Sequence, residues 1–406
     1  MDVVDEGLNR RAVEARRLDV PDGWPLRERS RRPRSEPDRQ RGAARYFGPN
    51  WFAAAMGTGI VANAAVSLPT HVPGLRGFAL GVWILDALLL AVLVIATAAH
   101  WIRHPGTASR HLAHPVMSHF YGAPPMALLT VGAGALLVGR DVLGLQAAVD
   151  VDRVLWAAGT VTGLLTSVLV PFLVFTRHDN APESAFGGWL MPIVPPMVSA
   201  STGALLIPYT TAGQWRETLL LGCYAMFGLS LFASIVVITL IWGRLARHRI
   251  GAAAAVPTLW IVLGPLGQSI TAVNLLGAAA TGVLPAPYAA GAAQLGLFYG
   301  IVTLGFALMW LTIAAAVTVR TARAHLPFSL TWWSFTFPVG TVVTGTSALA
   351  ARTGLHVLVL AAVALYVLLL AAWVTVAVRT LRGAVNGRLF VAPGAAPALP
   401  DPLPAG

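Results

Sequence analysis

The sequence predicts an all-α integral membrane protein. Ten transmembrane helices are expected as five helical hairpins, the odd-numbered helices forming an inner ring around a central pore and the even-numbered ones lying outside. Three observations carry this. Hydrophobic residues make up 56% of the 406 and charged residues only 11%, whereas a soluble domain carries about 25% charged residues. Several apolar runs exceed the roughly 20 residues that a spanning helix needs. Helix breakers recur in alternate runs.

The predicted spans are 47–67, 76–102, 119–139, 151–176, 188–210, 215–243, 256–282, 287–318, 328–351 and 355–381. Together they form a membrane domain over 47–382. Before it, residues 1–46 hold 12 arginines and Pro21, Pro25, Pro33 and Pro37, with no apolar core. No cleavable signal peptide is expected there. A disordered cytoplasmic tail is expected, with arginines that touch anionic lipid heads. Residues 383–406, rich in Ala and Pro, read as a second loose cytoplasmic tail. The longest connection, 103–118, is polar and His-rich and is expected to be a solvated loop.

Arginine sets the orientation. All 28 basic residues are Arg, and the net charge is +11. With the N-terminus inside, 23 lie on inside segments and 5 outside: Arg76, Arg140, Arg153, Arg216 and Arg352. Both termini are therefore expected to be cytoplasmic, in a multi-pass protein of the cell membrane. The charge sits in the tail and loops, so it reads as orientation rather than as a nucleic-acid surface. The single cysteine, Cys223, excludes an intramolecular disulfide and reads as a small buried hydrophobe.

The breakers fall on odd spans. They are Gly57-Thr58-Gly59 on the first and Gly122, Pro124-Pro125 and Gly132-Ala133-Gly134 on the third. Pro192, Pro195-Pro196 and Gly203 follow on the fifth, Gly264-Pro265-Leu266-Gly267 on the seventh, and Pro338, Gly340 and Gly345 on the ninth. Apart from Pro287 at the very edge of the eighth, the even spans hold only one proline, Pro171. A helix that breaks its ladder inside hydrocarbon must be surrounded by protein or line a watery path. Hydroxyls and amides cluster on the same spans: Thr58, Asn63, Thr130, Ser199, Ser201, Thr202, Gln268, Ser269, Thr271, Asn274, Thr341, Thr344, Thr346 and Ser347. Such groups either coordinate an ion that has shed water or stitch helices together.

By the predicted edges no acid or arginine falls inside an odd span. Asp86, on the second, is the one clear intramembrane charge. It reads as a protonation site or as a structural acceptor. A pore without fixed charge still admits anions, because broken helices present N–H groups and positive dipole ends and cytoplasmic arginines concentrate anions.

Tyr46-Phe47-Gly48-Pro49-Asn50-Trp51-Phe52-Ala53-Ala54-Ala55-Met56-Gly57-Thr58-Gly59 resembles the tellurite-resistance/dicarboxylate transporter family, which includes malate permeases, sulfite pumps and the slow anion channels of plants. His114-Pro115-Val116-Met117-Ser118-His119-Phe120 with Pro125-Met126, Gly264-Pro265-Leu266-Gly267-Gln268 and Trp332-Trp333-Ser334-Phe335-Thr336-Phe337-Pro338 are similar to three further family segments. The resemblance covers about 46–382. It implies ten helices around a pore, assembly as a homotrimer with one pore per subunit, and an aromatic on the ninth helix that occludes the pore. By position that residue is Phe337, with Phe335 as runner-up. The candidate lining residues are Thr58, Gly59, Pro125, Pro196, Pro265, Gln268, Pro338 and Thr341, with Asp86 as the proton site.

The implied function is transport of small anions. A C4-dicarboxylate such as malate leads, with tellurite, sulfite, chloride and nitrate as alternatives. No cofactor and no metal are expected: His111 and His114 could meet at i, i+3, but no Cys is near, and Pro105 and Pro115 interrupt the stretch. There is no phosphate-binding glycine loop and no recognisable Ser/His/Asp context. The reading from another class is a membrane-embedded enzyme built on the His loop and Asp86. It would need acids and histidines at one membrane depth.

Overall fold

The computed structural model describes residues 47–178, 181, 183–387 and 389; the expected tail 1–46 and, of the second expected tail, residues 388 and 390–406 lie outside the described residues. Among the described residues ten longer helices carry the fold, beside the short helices Pro105–Ala113 and Arg140–Leu143. The ten are α1 (Phe52–Ser67), α2 (Leu75–Arg103), α3 (Ala123–Gly134), α4 (Leu145–Arg177), α5 (Pro195–Leu206), α6 (Gln214–His248), α7 (Leu263–Ala280), α8 (Tyr288–Ala324), α9 (Phe337–Thr353) and α10 (His356–Val385). Among the described residues there is no strand, and seven segments are long and apolar enough to cross a membrane.

Each odd helix begins the same way. A 3-10 segment leads into it: Pro49–Trp51, Met117–Gly122, Gly187–Leu190, Ala253–Val262 and Leu330–Phe335 precede α1, α3, α5, α7 and α9. The prolines explain this. Pro124, Pro195 and Pro338 sit in the first two positions of their α-helices, where an absent N–H leaves no bond unmade. These prolines therefore mark the change from 3-10 to α winding rather than a mid-helix kink. They also shorten α1, α5 and α9 to 16, 12 and 17 residues.

Packing order follows from side-chain size. α1 packs on α3, α3 on α5, α5 on α7, α7 on α9, and α9 back on α1, closing a ring. The five 3-10 segments close a second ring in the same order. Glycine permits the near approach: a methyl at Gly187 would stand 2.6 Å from the carbonyl carbon of Thr258, across the 3-10 ring. Every residue of α1 from Phe52 to Ala65 is buried, as is every residue of α5 from Pro195 to Ala204.

The even helices lie in the outer grooves. Each packs on the odd helix before it and on the next one around the ring. They bury one stripe and expose the rest as Val, Leu, Ile and Phe, among them Val92, Val168, Phe232, Val302 and Leu360. Gly144 and Gly354, at φ +77° and +68°, make the tight reversals into α4 and before α10, a backbone region that other residues avoid.

Two details depart from the sequence reading. The expected loop 103–118 carries a short helix, Pro105–Ala113, with Pro105 in its first turn. Its His111 is buried and stacks on His100 at 5.6 Å, so the stretch is a packed element rather than a solvated loop. α4 begins at Leu145, before the predicted edge at 151, so Asp152 lies well within the helix instead of at its first turn.

Candidate functional site

Two cavities lie along the ring. The smaller, about 20 Å³, is enclosed near the 3-10 segments by Ala53, Met56, Phe120, Met126, Met191, Val194, Ile261, Gly264, Leu330, Ser334, Phe337 and Pro338. It holds about one water. The larger, about 280 Å³, is a vestibule running toward the C-terminal ends of the odd helices. Each odd helix gives it a stripe at helical spacing: Ile60, Asn63 and Ser67; Thr130, Ala133 and Leu137; Val198, Ser201, Thr202 and Leu205; Gln268, Thr271 and Leu275; Thr344, Ser347, Ala348 and Ala351. No charged residue lines either cavity.

Phe337 is the one side chain common to both linings. It opens α9, directly after Thr336, where the 3-10 segment gives way to α winding. Its ring is 3% exposed and separates the vestibule from the small cavity. An apolar ring across a narrow path excludes water and with it ions. Phe335 lies elsewhere: it is wedged edge-on between Trp260 at 5.2 Å and Trp332 at 5.6 Å and lines neither cavity.

Of the other sequence candidates, Gln268 lines the vestibule and Pro338 the small cavity. The rest face neighbouring helices. Thr58 Oγ1 accepts the indole N–H of Trp373 on α10 at 3.2 Å. A methyl at Gly59 would stand 2.8 Å from Thr130 Cγ2 and 3.3 Å from Asp86 Cγ. Pro125 backs onto Gly159 and Gly163 of α4. Thr341 Oγ1 donates to Pro338 O at 2.7 Å and sits within 3.3 Å of the Leu263 and Gly264 carbonyls, binding α9 to α7. Pro196 and Pro265 are buried outside both linings.

The vestibule hydroxyls were visible in the sequence as the polar cluster of the odd spans. Three of its bonds join neighbouring helices. Gln268 Nε2 donates to Ser201 Oγ, joining α7 to α5. Thr271 and Thr344 share a bond of 2.7 Å between α7 and α9. Asn63 Nδ2 donates to Thr130 O at 3.0 Å, joining α1 to α3. These groups stitch and line at once.

Asp86 is fully buried on α2 against Gly59, and both its carboxylate oxygens lack a hydrogen-bond partner. Asp152 of α4 is its counterpart on the other side of α3. It too is fully buried without a partner, and Gly132 faces it: a methyl there would lie 2.8 Å from Asp152 Oδ1. Asp86 is therefore not the lone intramembrane acid. The signal that finds Asp152 is the continuous helical pattern through Gln146–Arg153, which moves the helix start back. Among the described residues no group of three or more His, Cys, Asp or Glu is placed to hold a metal ion.

A closed ring of buried helices around uncharged cavities, wrapped in helices with apolar outer faces, defines a multi-pass membrane transporter. The chain belongs to the voltage-dependent anion channel (SLAC1) family, whose profile matches residues 46–381. It is 31% identical over 307 residues to a sulfite efflux pump of Trichophyton rubrum, covering 74% of this chain and 81% of that one. It is 26% identical over 346 residues to an uncharacterized transporter of Methanocaldococcus jannaschii, covering 85% and 96%. Similarity to a malic acid transport protein of Schizosaccharomyces pombe is lower, 22% over 310 residues, covering 72% and 68%. The family and these relatives are named as channels or transporters, not as enzymes.

Proposed function

We propose that this protein carries small anions across the cell membrane along the axis of the odd-helix ring, with Phe337 as the occluding gate. The supporting observation is that the Phe337 ring is shared by the two cavities on that axis. All ten helices cross in this reading. α1 is an instructive case: its 16 residues span about 24 Å at ~1.5 Å per residue. The three preceding 3-10 residues add roughly 6 Å, reaching the ~30 Å of a hydrocarbon core.

The 3-10 end faces the cytoplasm, with both termini. Arg103, Arg110, Arg177, Arg247, Arg320, Arg323, Arg379 and Arg382 cluster in the segments at that end, as the excess of inside arginine requires. A small carboxylate such as malate is the leading cargo, then sulfite or tellurite, then chloride or nitrate. Sulfite and malate are what two of the relatives are named for. The subunits assemble as a homotrimer with one pore each, which a mass measurement in detergent tests.

The decisive experiment is a liposome flux panel with malate, sulfite, nitrate, chloride and tellurite on the native protein and on Phe337→Ala. Conductance is expected to rise in the variant. An unchanged current in folded protein ends the gate reading.

A second reading is proton-coupled carriage through Asp86, favoured by a buried carboxyl without a partner beside the ring. Loss of pH-driven uptake in folded Asp86→Asn supports it. Uptake that follows voltage alone and survives the change rejects it.

A further inference from the structure

Hydrogen-bond capacity in the vestibule is unevenly distributed. Most hydroxyls there already donate to a carbonyl of their own helix. Ser67 donates to Ala64, Thr130 to Met126, Thr202 to Val198 and Thr344 to Thr341. A hydroxyl has one proton, so these groups have no donor left for a passing ion. Two buried polar atoms lack partners, Asn63 Oδ1 and Ser347 Oγ, but both are shut off from the cavity surface.

Gln268 differs. Its Nε2 donates to Ser201 Oγ, whose own proton goes to Val198 O at 2.9 Å. The amide is thereby oriented: Ser201 has no second proton to give, so it accepts, and Nε2 must be the atom beside it. Gln268 Oε1 then carries no hydrogen bond among the described residues and is not sealed off as Asn63 Oδ1 is. The residue lines the vestibule one turn beyond the Phe337 floor, at the level where Gly267 meets the Thr341 backbone. An ion in this chamber meets an acceptor at Oε1.

The arrangement has a second state close at hand. Val198 O receives two hydroxyl protons, from Ser201 and Thr202, both at 2.9 Å. If the Ser201 hydroxyl swings to Gln268 Oε1, Val198 O keeps Thr202. The amide then turns both its N–H groups to the vestibule. That state gives up one hydrogen bond and turns the amide from acceptor to donor.

We propose that the Gln268–Ser201 pair is the selectivity element of the vestibule and favours oxyanions that still carry one acidic O–H over halides and over fully deprotonated oxyanions. This rests on the anion-transport reading. A monoprotonated oxyanion donates its O–H to Oε1 with the pair undisturbed. A halide or a dianion has no proton to give and must first turn the amide over. The proton travels with the anion, and no covalent step is involved.

The test is flux in proteoliposomes with malate and with chloride as probes, as pH is lowered so that the malate dianion gains a proton. In the native protein the malate-to-chloride ratio should rise with the monoanion fraction. In Gln268→Met, which keeps length and loses both hydrogen-bonding atoms, the ratio should fall roughly tenfold, what one hydrogen bond to an ion contributes. It should also stop following the monoanion. A ratio and pH profile unchanged by Gln268→Met overturn the proposal.

Should that variant not fold, Ser201→Ala frees the amide to turn. Chloride flux is then expected to rise and the ratio to drop, and an unchanged ratio overturns the proposal equally. If neither the native protein nor Phe337→Ala passes any anion, the transport reading itself fails and takes this one with it. If Phe337→Ala conducts and the ratios do not move, only the selectivity proposal fails.

Discussion

Ile60 of α1 lies directly over Gly340 of α9: a methyl on Gly340 would stand 2.9 Å from Ile60 Cγ2 and closer still to Cγ1. Ile60 also lines the vestibule beside Phe337. This seam closes the helix ring, and among the described residues no side-chain hydrogen bond crosses it. Helix approach there depends on the absence of a side chain at Gly340.

Gly340→Ala should therefore destabilise the protein by about 1–3 kcal/mol, the usual cost of overfilling a packed site. Ile60→Ala in the same chain should recover much of that, giving a coupling above roughly 0.5 kcal/mol. Thermal unfolding of the two single variants and the double variant in detergent measures it. Strictly additive losses would show that the new methyl meets something other than Ile60.

Gly187→Ala should be worse. The neighbour there is the Thr258 backbone, which has no rotamer to change, whereas Ile60 can turn. Little monodisperse protein is expected on size exclusion. Gly81 of α2 is the control, since nothing lies within 4 Å of a methyl at that position. Gly81→Ala should be neutral or stabilising by about 0.5–1 kcal/mol, the helix-interior difference between the two residues.

The Pro105–Ala113 helix should loosen in acid. Burial lowers the His111 pKa below its ordinary 6.5, and His100, His114 and Arg110 lower it further; His104, just after α2, lies tilted against His100 at 5.9 Å. A detached helix then takes up a proton before the docked one does. Packing is full above about pH 6.5 and is lost as pH falls below it. Hydrogen exchange over residues 105–116, corrected for intrinsic rates, should speed up on acidification. It should become insensitive to pH in His111→Gln. The readout bears on the inner cavity, because this helix packs on the 3-10 segment that carries Phe120.

Asp86→Asn and Asp152→Asn should each shift stability by less than about 1 kcal/mol. Neither carboxylate has a hydrogen bond or ion pair to lose, and a neutral amide avoids burying charge. Thermal unfolding checks it. A loss of about 3 kcal/mol or more would reveal a partner such as ordered water.

Much of the architecture was legible in the residues. Composition and run length depend on solvent alone: a chain with so few charges has no aqueous fold of this size. The Gly/Pro punctuation was legible too, because proline costs little in the first turn of a helix and much in its interior. Alternate helices therefore carry a 3-10 lead-in wherever Pro124, Pro195 and Pro338 stand. Phe337 was singled out by motif position, and it is the side chain common to both cavity linings.

The lining was less legible. Thr58, Gly59, Pro125 and Thr341 share the residue types expected of a pore, yet each faces a neighbouring helix. A helix has several faces, and a lone hydroxyl or glycine does not say which one it occupies. Asp152 was passed over because the predicted span opened at 151 and left it at the helix edge, whereas the helix starts at Leu145.

The sequence by itself determined the solvent of this protein, its helical class and, where proline marks them, the starts of inner helices, since those follow from the chemistry of each residue and its nearest neighbours. Only the tertiary structure decided which side of each inner helix looks inward, that Phe337 divides two cavities, and that the free acceptor of the vestibule belongs to Gln268. Those facts are set by which helix packs against which, and a rotation of one residue about a helix axis turns a lining group into a packing one.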